Sequence, residues 1–224
     1  WEDMCSFVVD GKSWLLIADT GDNLSQRGSK SARRGEPQSA CRLLLIREPE
    51  SLRHQSVAAE IQSDVFQSTE LVYEDGPRDC ESIAVDTERR EILLISKTLG
   101  LESALYRIPL KLRQGRGRAT AKRLATTGIP MVTGMDISRD NSRMVIVSLF
   151  AGVVIDRRSG ESWEDAFKRP AVPLSLPPRK QGETVCFCDS SDEIFVNSEA
   201  TEQPLWRVKL PEPEKTTSEV SDDQ

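Results

Sequence analysis

Short apolar segments recur along the whole chain, and turn-forming residues separate them. The segments are rich in Val, Ile and Leu, and a length of roughly four to six residues suits β-strands better than helices. They lie at residues 6–9, 14–18, 42–46, 82–85, 92–96, 105–108, 144–149, 153–155, 184–187, 194–197 and 205–208. This pattern predicts an all-β protein.

Some of these segments are apolar throughout, with no alternation of polar residues. The clearest are residues 43–46 and 92–95. We expect such strands to be covered on both faces, as in a sheet packed between two others. The links between segments contain Asp, Asn and Gly, which form the tight turns of hairpins.

The hairpins form repeats, in which a unit consists of a hairpin followed by further strand. The units start near residues 1, 80, 133 and 181. Their spacing is close to 50 residues, except that a polar insert at 24–40 lengthens the first unit. A period of about 50 residues with about four strands per unit is typical of a β-propeller, with one blade per unit. We therefore predict one propeller domain over residues 1–210, followed by a polar tail at 211–224.

The first unit has no leading blade, and the chain starts at Trp1 instead of Met. We therefore expect a partial five- or six-bladed ring whose N-terminal blade lies outside this chain. A complete four-bladed ring is the alternative.

Composition narrows the function classes. The chain has 224 residues, of which 38% are hydrophobic and 29% charged, enough for one sizeable core. The formal net charge of −6 argues against nucleic-acid binding through phosphate contacts. No apolar run approaches the roughly 20 residues of a membrane span, and no signal peptide is visible. The basic run at 113–118 is expected to be a solvated hairpin loop.

Five cysteines and one histidine limit the metal chemistry. His54 is the only histidine, which argues against a multi-His metal site. Cys186 and Cys188 form a C-x-C pair on one face of a predicted strand, but one such pair without a nearby His does not indicate zinc. We expect the cysteines to be buried and to act as small hydrophobic residues.

Acidic residues recur where the predicted inner strands begin and where the second strands end. The acids in these positions are Glu2, Asp19, Glu81, Asp136, Glu183 and Glu199, and Lys97 ends one second strand. The inner strands of a propeller line a central channel whose mouth is a usual ligand pocket, so these residues are the candidate site. Converging carboxylates require a bound cation, a basic partner such as Lys97, or protonation.

Three explanations of this acidic set stay open. In the first, Glu2, Glu81 and Glu183 bind a divalent cation, and oxygen ligands favour Ca²⁺ or Mg²⁺. In the second, the acids accept hydrogen bonds from backbone amides and lock neighbouring blades together. In the third, they form a polar ligand pocket without an ion.

An ordered set of short motifs runs along nearly the whole chain, to about Leu210. The motifs are Trp1-Glu2-Asp3, Asp19-Thr20-Gly21-Asp22-Asn23, Tyr73-Glu74-Asp75-Gly76-Pro77-Arg78-Asp79-Cys80-Glu81, Thr133-Gly134-Met135-Asp136, Gln181-Gly182-Glu183 and Ser198-Glu199. This set resembles a family of mostly uncharacterised, often exported bacterial β-propeller proteins. The chain departs from the family's Arg-Thr-Tyr at Ser148-Leu149-Phe150. In architecture it is also distantly similar to calcium-dependent propeller lactonases and phytase-like proteins.

Two functions follow as competing expectations. The first is a non-catalytic binding module for a protein or small-molecule ligand. The second is a divalent-metal-dependent hydrolase of a phosphoester, lactone or ester, in which Glu81 or Glu183 acts as the base. The family resemblance implies a periplasmic or secreted location, whereas the odd number of cysteines argues against an oxidising compartment.

Overall fold

The computed structural model describes residues 1–24, 27, 41–49 and 64–213. Most of the polar insert at 24–40, His54 and the tail from residue 214 lie outside the described residues. The strands are β1 (Asp3–Val9), β2 (Lys12–Asp19), β3 (Cys41–Arg47), β4 (Val65–Tyr73), β5 (Cys80–Asp86), β6 (Glu91–Ser96), β7 (Ala104–Pro109), β8 (Gly115–Thr126), β9 (Val132–Ile137), β10 (Arg143–Ser148), β11 (Gly152–Asp156), β12 (Val172–Pro173), β13 (Gly182–Phe187), β14 (Glu193–Ser198) and β15 (Trp206–Lys209). A short helix, α1 (Trp163–Ala166), lies between β11 and β12.

The strands form blades in chain order, with antiparallel pairing inside each blade. The first blade holds β1–β4, the second β5–β8, the third β9–β12 and the fourth β13–β15. The first strand of each blade is the innermost, and these inner strands lie side by side in the order β1, β5, β9, β13. This arrangement is a β-propeller, which confirms the predicted fold class.

The first two blades are joined at their outer edges as well as through their faces. Their outermost strands, β4 and β8, pair in parallel from Gln67 opposite Gly115 to Tyr73 opposite Ala121. The basic run therefore enters strand β8 at Gly115, where the prediction of a loop is wrong. Its side chains are nevertheless exposed to solvent, as expected.

Each pair of consecutive blades encloses an apolar core. The first contains Trp14, Leu16 and Tyr106 between the first and second blades. The second contains Leu93 and Met135 between the second and third blades. The third lies between the third and fourth blades and contains residues of β10, β13 and β14, including Val145, Val185 and Ile194. Blade-on-blade burial is thus what holds the fold together.

The predicted double coverage of apolar strands holds in the second blade and fails in the first. Residues Ile92 to Ile95 of β6 are buried on both faces. In β3, Leu43 and Leu45 are buried, but Leu44 and Ile46 are partly exposed. The reason is that β3 belongs to the first blade, which packs against a described neighbour on one side only.

Two of the inner hairpin turns use left-handed backbone at Asp, Asn or Gly, as predicted, whereas in the β5–β6 turn the left-handed residue is Arg90. Asp10 and Gly11 link β1 to β2 with φ of 53° and 69°, and Asn141 lies in the β9–β10 turn with φ of 58°. Such angles strain most other side chains. These turns place the far ends of the inner hairpins on one face of the propeller, called the exit face. The opposite face, where the inner strands begin, is called the entry face.

Candidate functional site

Two half-buried carboxylates connect neighbouring inner strands. Asp3 at the start of β1 accepts hydrogen bonds from the backbone N–H of Ile83 in β5 (2.7 Å) and of Met4 (2.8 Å). Asp136 in β9 accepts from the N–H of Phe187 in β13 (2.8 Å) and of Ile137 (2.8 Å). Each carboxylate therefore fastens one blade to the next, as in the second explanation given above.

Burial controls the protonation of both groups. Loss of water contact raises the pKa of Asp136 from 3.8 to about 6, although the two amide hydrogen bonds oppose this change. Burial also raises the pKa of Asp3 well above its usual range, and the nearby Asp136 charge adds to the effect. The raised pKa values of Asp3 and Asp136 therefore follow from their burial between blades and do not by themselves indicate a catalytic role.

Two threonine hydroxyls make equivalent links nearer the entry face. Thr20 Oγ1 donates to the carbonyl of Cys80 (2.7 Å), and Thr133 Oγ1 donates to the carbonyl of Gly182 (2.6 Å). Both hydroxyls are buried, and each joins one blade to the first residue of the inner strand in the next blade. Side chains of the repeated motifs are therefore used to hold the blades in place.

The structure brings together one predicted pair, Glu81 and Lys97. Lys97 Nζ lies 2.5 Å from Glu81 Oε2, and both side chains are largely buried. Burial raises the pKa of Glu81, and the Lys97 ammonium opposes that rise. Glu81 therefore has a basic partner that balances its charge, which is one of the three ways named above to accommodate converging carboxylates.

The other predicted acids on the entry face have local partners or face solvent, and the charge of Glu183 contributes to the raised pKa of Glu81. Asp19 pairs with Arg27 at 2.8 Å, and Glu183 accepts a hydrogen bond from Gln181 Nε2 at 2.7 Å. Glu2 and Glu199 are exposed. Across residues 1–24, 27, 41–49 and 64–213, no group of three or more His, Cys, Asp or Glu residues could hold a metal ion. The geometry therefore gives no support to a cation site made of Glu2, Glu81 and Glu183.

A polar cleft of about 620 Å³ opens beside the Glu81–Lys97 pair. Tyr106 lies in its wall, where its hydroxyl contacts Asp75 (3.0 Å) and accepts a hydrogen bond from Arg78 Nε (2.9 Å). Its lining carries three cations and three acids, so its charges balance. The charged lining residues are Asp75, Arg78, Asp79, Lys97, Glu102 and Arg123. We call this pocket the entry cleft.

The rim of the entry cleft carries apolar residues. Leu99 is 88% exposed and lines the cleft, and Leu101 in the same connection is 64% exposed. Both lie between β6 and β7, in a segment that reaches beyond the sheet. An exposed leucine at the edge of a preformed polar cleft is an arrangement that suits ligand binding.

A second cavity of about 540 Å³ lies between the inner strands, toward the exit face. It is lined by residues of β1, β9 and β13, including Met4, Met135, Asp136 and Cys186. Cys188, directly after β13, also lines it. We call this cavity the channel cleft.

The expected burial of the cysteines holds for three of them. Cys5, Cys41 and Cys80 are buried, but Cys186 is exposed and Cys188 is partly exposed. The expectation is wrong for this pair because Cys186 lies on the side of β13 that faces away from the third blade. All five thiols are free.

Comparisons with known proteins add little beyond the fold. No protein-family model matches the sequence, and no curated protein matches it. Similar solved structures include a chain of the Nidogen/Laminin complex, with a TM-score of 0.45 and 7% identity over 76% of this chain and 54% of that one. A TolB structure from Agrobacterium tumefaciens has a TM-score of 0.45 and 16% identity, and the match covers 93% of this chain and 58% of that one. The WD40 β-propeller domain of Doa1 has a TM-score of 0.39 and 15% identity, and the match covers 99% of this chain and 55% of that one.

This chain spans a little more than half of each of these solved chains. Likeness at this level carries no argument about function, so the assignment rests on the strand order described above. The chain is a β-propeller with a polar cleft on its entry face. No helix in the described ranges is long and apolar enough to cross a membrane.

Sequence reasoning missed several residues that the structure makes important. Asp3 belongs to the Trp1-Glu2-Asp3 motif, but Glu2 beside it was the candidate. Asp75, Arg78 and Asp79 of the entry cleft all lie in the motif that starts at Tyr73. Membership in a repeated motif would therefore have pointed to these residues. The position of an acid at the start of a predicted strand did not identify them.

Proposed function

We propose that this chain is a non-catalytic binding module that takes a polar ligand or a polar segment of a protein into the entry cleft. One observation carries the proposal. Among the inner-strand acids, Asp136 accepts backbone-amide hydrogen bonds and Glu81 pairs with Lys97, whereas the entry cleft is preformed and open.

The entry cleft is held in shape before any ligand arrives. Arg78 is fixed by Tyr106, by the carbonyl of Pro77 and by Asp75. Arg123 lies 3.9 Å from the same Asp75 carboxylate. A fixed pocket loses little conformational entropy on binding, which favours affinity.

The balanced charge of the entry cleft indicates the kind of ligand. Neither an anion nor a cation is favoured by the sum of the lining charges. A neutral polar molecule, or a peptide segment that carries both signs, can pair with both sets of groups. Leu99 at the rim would cover an apolar part of such a ligand.

The alternative function, a hydrolase that uses Ca²⁺ or Mg²⁺, requires carboxylates that converge on one ion. Instead, Asp136 accepts hydrogen bonds from backbone amides, and Glu81 and Asp19 pair with cations. The hydrolase, the cation and the periplasmic or secreted location implied by the family resemblance all stay predictions.

A selection experiment tests the binding proposal. A peptide library is selected on the wild-type protein, and the affinities of the recovered peptides are measured on Leu99→Ser and Glu102→Gln. Lys168→Ala serves as the matched control, because Lys168 is exposed just after α1 and does not line the entry cleft. We expect Leu99→Ser to weaken binding by about tenfold, which corresponds to about 1.4 kcal/mol, and the control to leave it unchanged.

The proposal fails if the selection recovers no binders. It also fails if independently recovered peptides are insensitive to both entry-cleft variants. Circular dichroism of each variant separates a loss of binding from a loss of folding.

A further inference from the structure

Two free thiols share the channel cleft with thioether side chains. Cys186 and Cys188 are two positions apart at the end of β13, so their side chains point to the same side, roughly 7 Å apart along the strand. Cys186 is exposed and Cys188 is partly exposed. Met4, which is 45% exposed, and the buried Met135 line the same cleft. With Cys5, which also lines the cleft, five sulfur atoms belong to residues around one cavity.

We propose that Cys186 and Cys188 form a binding site for a thiophilic monovalent cation of the Cu(I) class, with the Met4 thioether as an additional weak ligand. Thiolate and thioether sulfur are soft ligands, and soft ligands select Cu(I) over the hard divalent cations. The site is independent of the entry cleft and of the proposed binding function.

The number of donors distinguishes this ion from zinc. A structural zinc site needs four ligands, usually Cys and His. Within the part of the chain that the structure describes, no three His, Cys, Asp or Glu residues are grouped to hold a metal. Cys5 lines the same cleft but is only 7% exposed, so its thiol is less accessible than those of Cys186 and Cys188. Two thiolates are therefore the set available, and two suffice for a linear Cu(I) complex.

The surroundings of the pair allow a charged complex to form. Binding of Cu(I) converts two thiols to thiolates and releases two protons, while copper stays in the +1 state. The complex carries one negative charge. The Arg207 guanidinium on β15 interacts with Cys188 as well as with Glu193, so a positive group lies next to the new charge. Asp136 lines the other side of the cleft, and burial together with the Asp136 charge raises the pKa of the Cys186 thiol, so copper has to displace a firmly held proton there.

The test is a competition titration of the full chain, reduced and free of oxygen. The protein is added to the coloured Cu(I)–bicinchoninate complex, and the loss of colour reports transfer of copper. We expect transfer of one Cu(I) per chain with appearance of an ultraviolet thiolate-to-copper band. We expect Cys186→Ser and Cys188→Ser each to abolish stoichiometric transfer, and Met4→Leu to weaken it less.

Cys5→Ala is the matched control, since it removes a thiol of the same cleft that the proposal does not use. It should transfer copper as the wild type does. The proposal is overturned if wild type does not compete for Cu(I), or if the double Cys186→Ser, Cys188→Ser variant competes equally well. It is also overturned if Zn²⁺ binds the same two thiols with equal stoichiometry, because a two-donor soft site should not retain zinc. Unchanged circular dichroism of the serine variants shows that the loss is local.

Discussion

The carboxylate of Asp136 makes a prediction about how stability depends on pH. Burial raises its pKa from 3.8 to about 6 in the folded chain. Between these two values the folded state binds more protons than the unfolded state, so stability falls as the pH rises. Asp136→Asn removes the titrating group and leaves a side chain of nearly the same shape.

The size of the effect follows from the shift. A pKa change of about two units corresponds to at most about 3 kcal/mol of unfolding free energy. The Asn variant also loses one of the two amide hydrogen bonds to Ile137 and Phe187, because its amide oxygen replaces two carboxylate oxygens. That loss costs about 1–3 kcal/mol but does not vary with pH. The two contributions are therefore separable.

The assay is urea denaturation of wild type and Asp136→Asn at several pH values from 4 to 7. We expect the advantage of the wild type to shrink by up to about 3 kcal/mol across this range. Asp140→Asn is the matched control. Burial is the largest single influence on Asp140 and would raise its pKa, but hydrogen bonds that include those from Ser138 and Ser142 together lower it to about 2. Its difference from wild type should therefore change mainly below about pH 4 and stay nearly constant over the rest of the assay range.

A constant difference between wild type and Asp136→Asn would refute the reasoning. A difference that grows with pH would do so too, because it would mean that the folded state favours the ionised carboxylate.

Three further predictions concern buried contacts, each checked by urea denaturation. Arg157→Met leaves the fully buried Asp86 without the guanidinium 3.2 Å away and should cost about 3–5 kcal/mol, whereas a cost below 1 kcal/mol would contradict the pairing. Thr133→Val removes the hydroxyl that donates to Gly182 and should cost about 1–3 kcal/mol; an unchanged stability would show that this link is dispensable. Lys97→Met removes the partner that opposes the raised pKa of Glu81, so the variant should lose more stability relative to wild type at pH 8 than at pH 5, and a flat profile would count against the ion pair.

Much of the fold was predictable because the inner strands are apolar and their turns carry Asp, Asn and Gly. The blade starts near 80, 133 and 181 lie close to the observed first residues of β5, β9 and β13. The outer strands β4 and β8 were not predicted because they lie at the periphery. Little of their surface is buried, so they contain Ser, Thr, Gly and Arg and lack the apolar pattern of the inner strands. Local pattern carries no information about such edges.

The candidate site was predictable only in part. The position of Asp136 in an inner strand follows from the repeat, but its partner, the Phe187 amide, belongs to the next blade. Which amide a carboxylate meets depends on how two blades pack, and no short segment encodes that. The exposure of Cys186 and of Leu44 depends in the same way on what lies beside a whole blade.

The central claim is that Asp3 and Asp136 fasten neighbouring blades through backbone amides, and from it we predict that the inner-strand acids hold no structural ion. The most direct measurement is metal analysis of the purified full chain together with its melting temperature in Ca²⁺, in Mg²⁺ and in EDTA. A structural ion bound only by the folded state would raise the melting temperature and be lost with EDTA. We predict no stoichiometric metal and the same melting temperature in all three conditions. A stoichiometric divalent cation whose removal lowers the melting temperature would contradict the account, and Glu81→Gln and Glu183→Gln would then show which acids bind it.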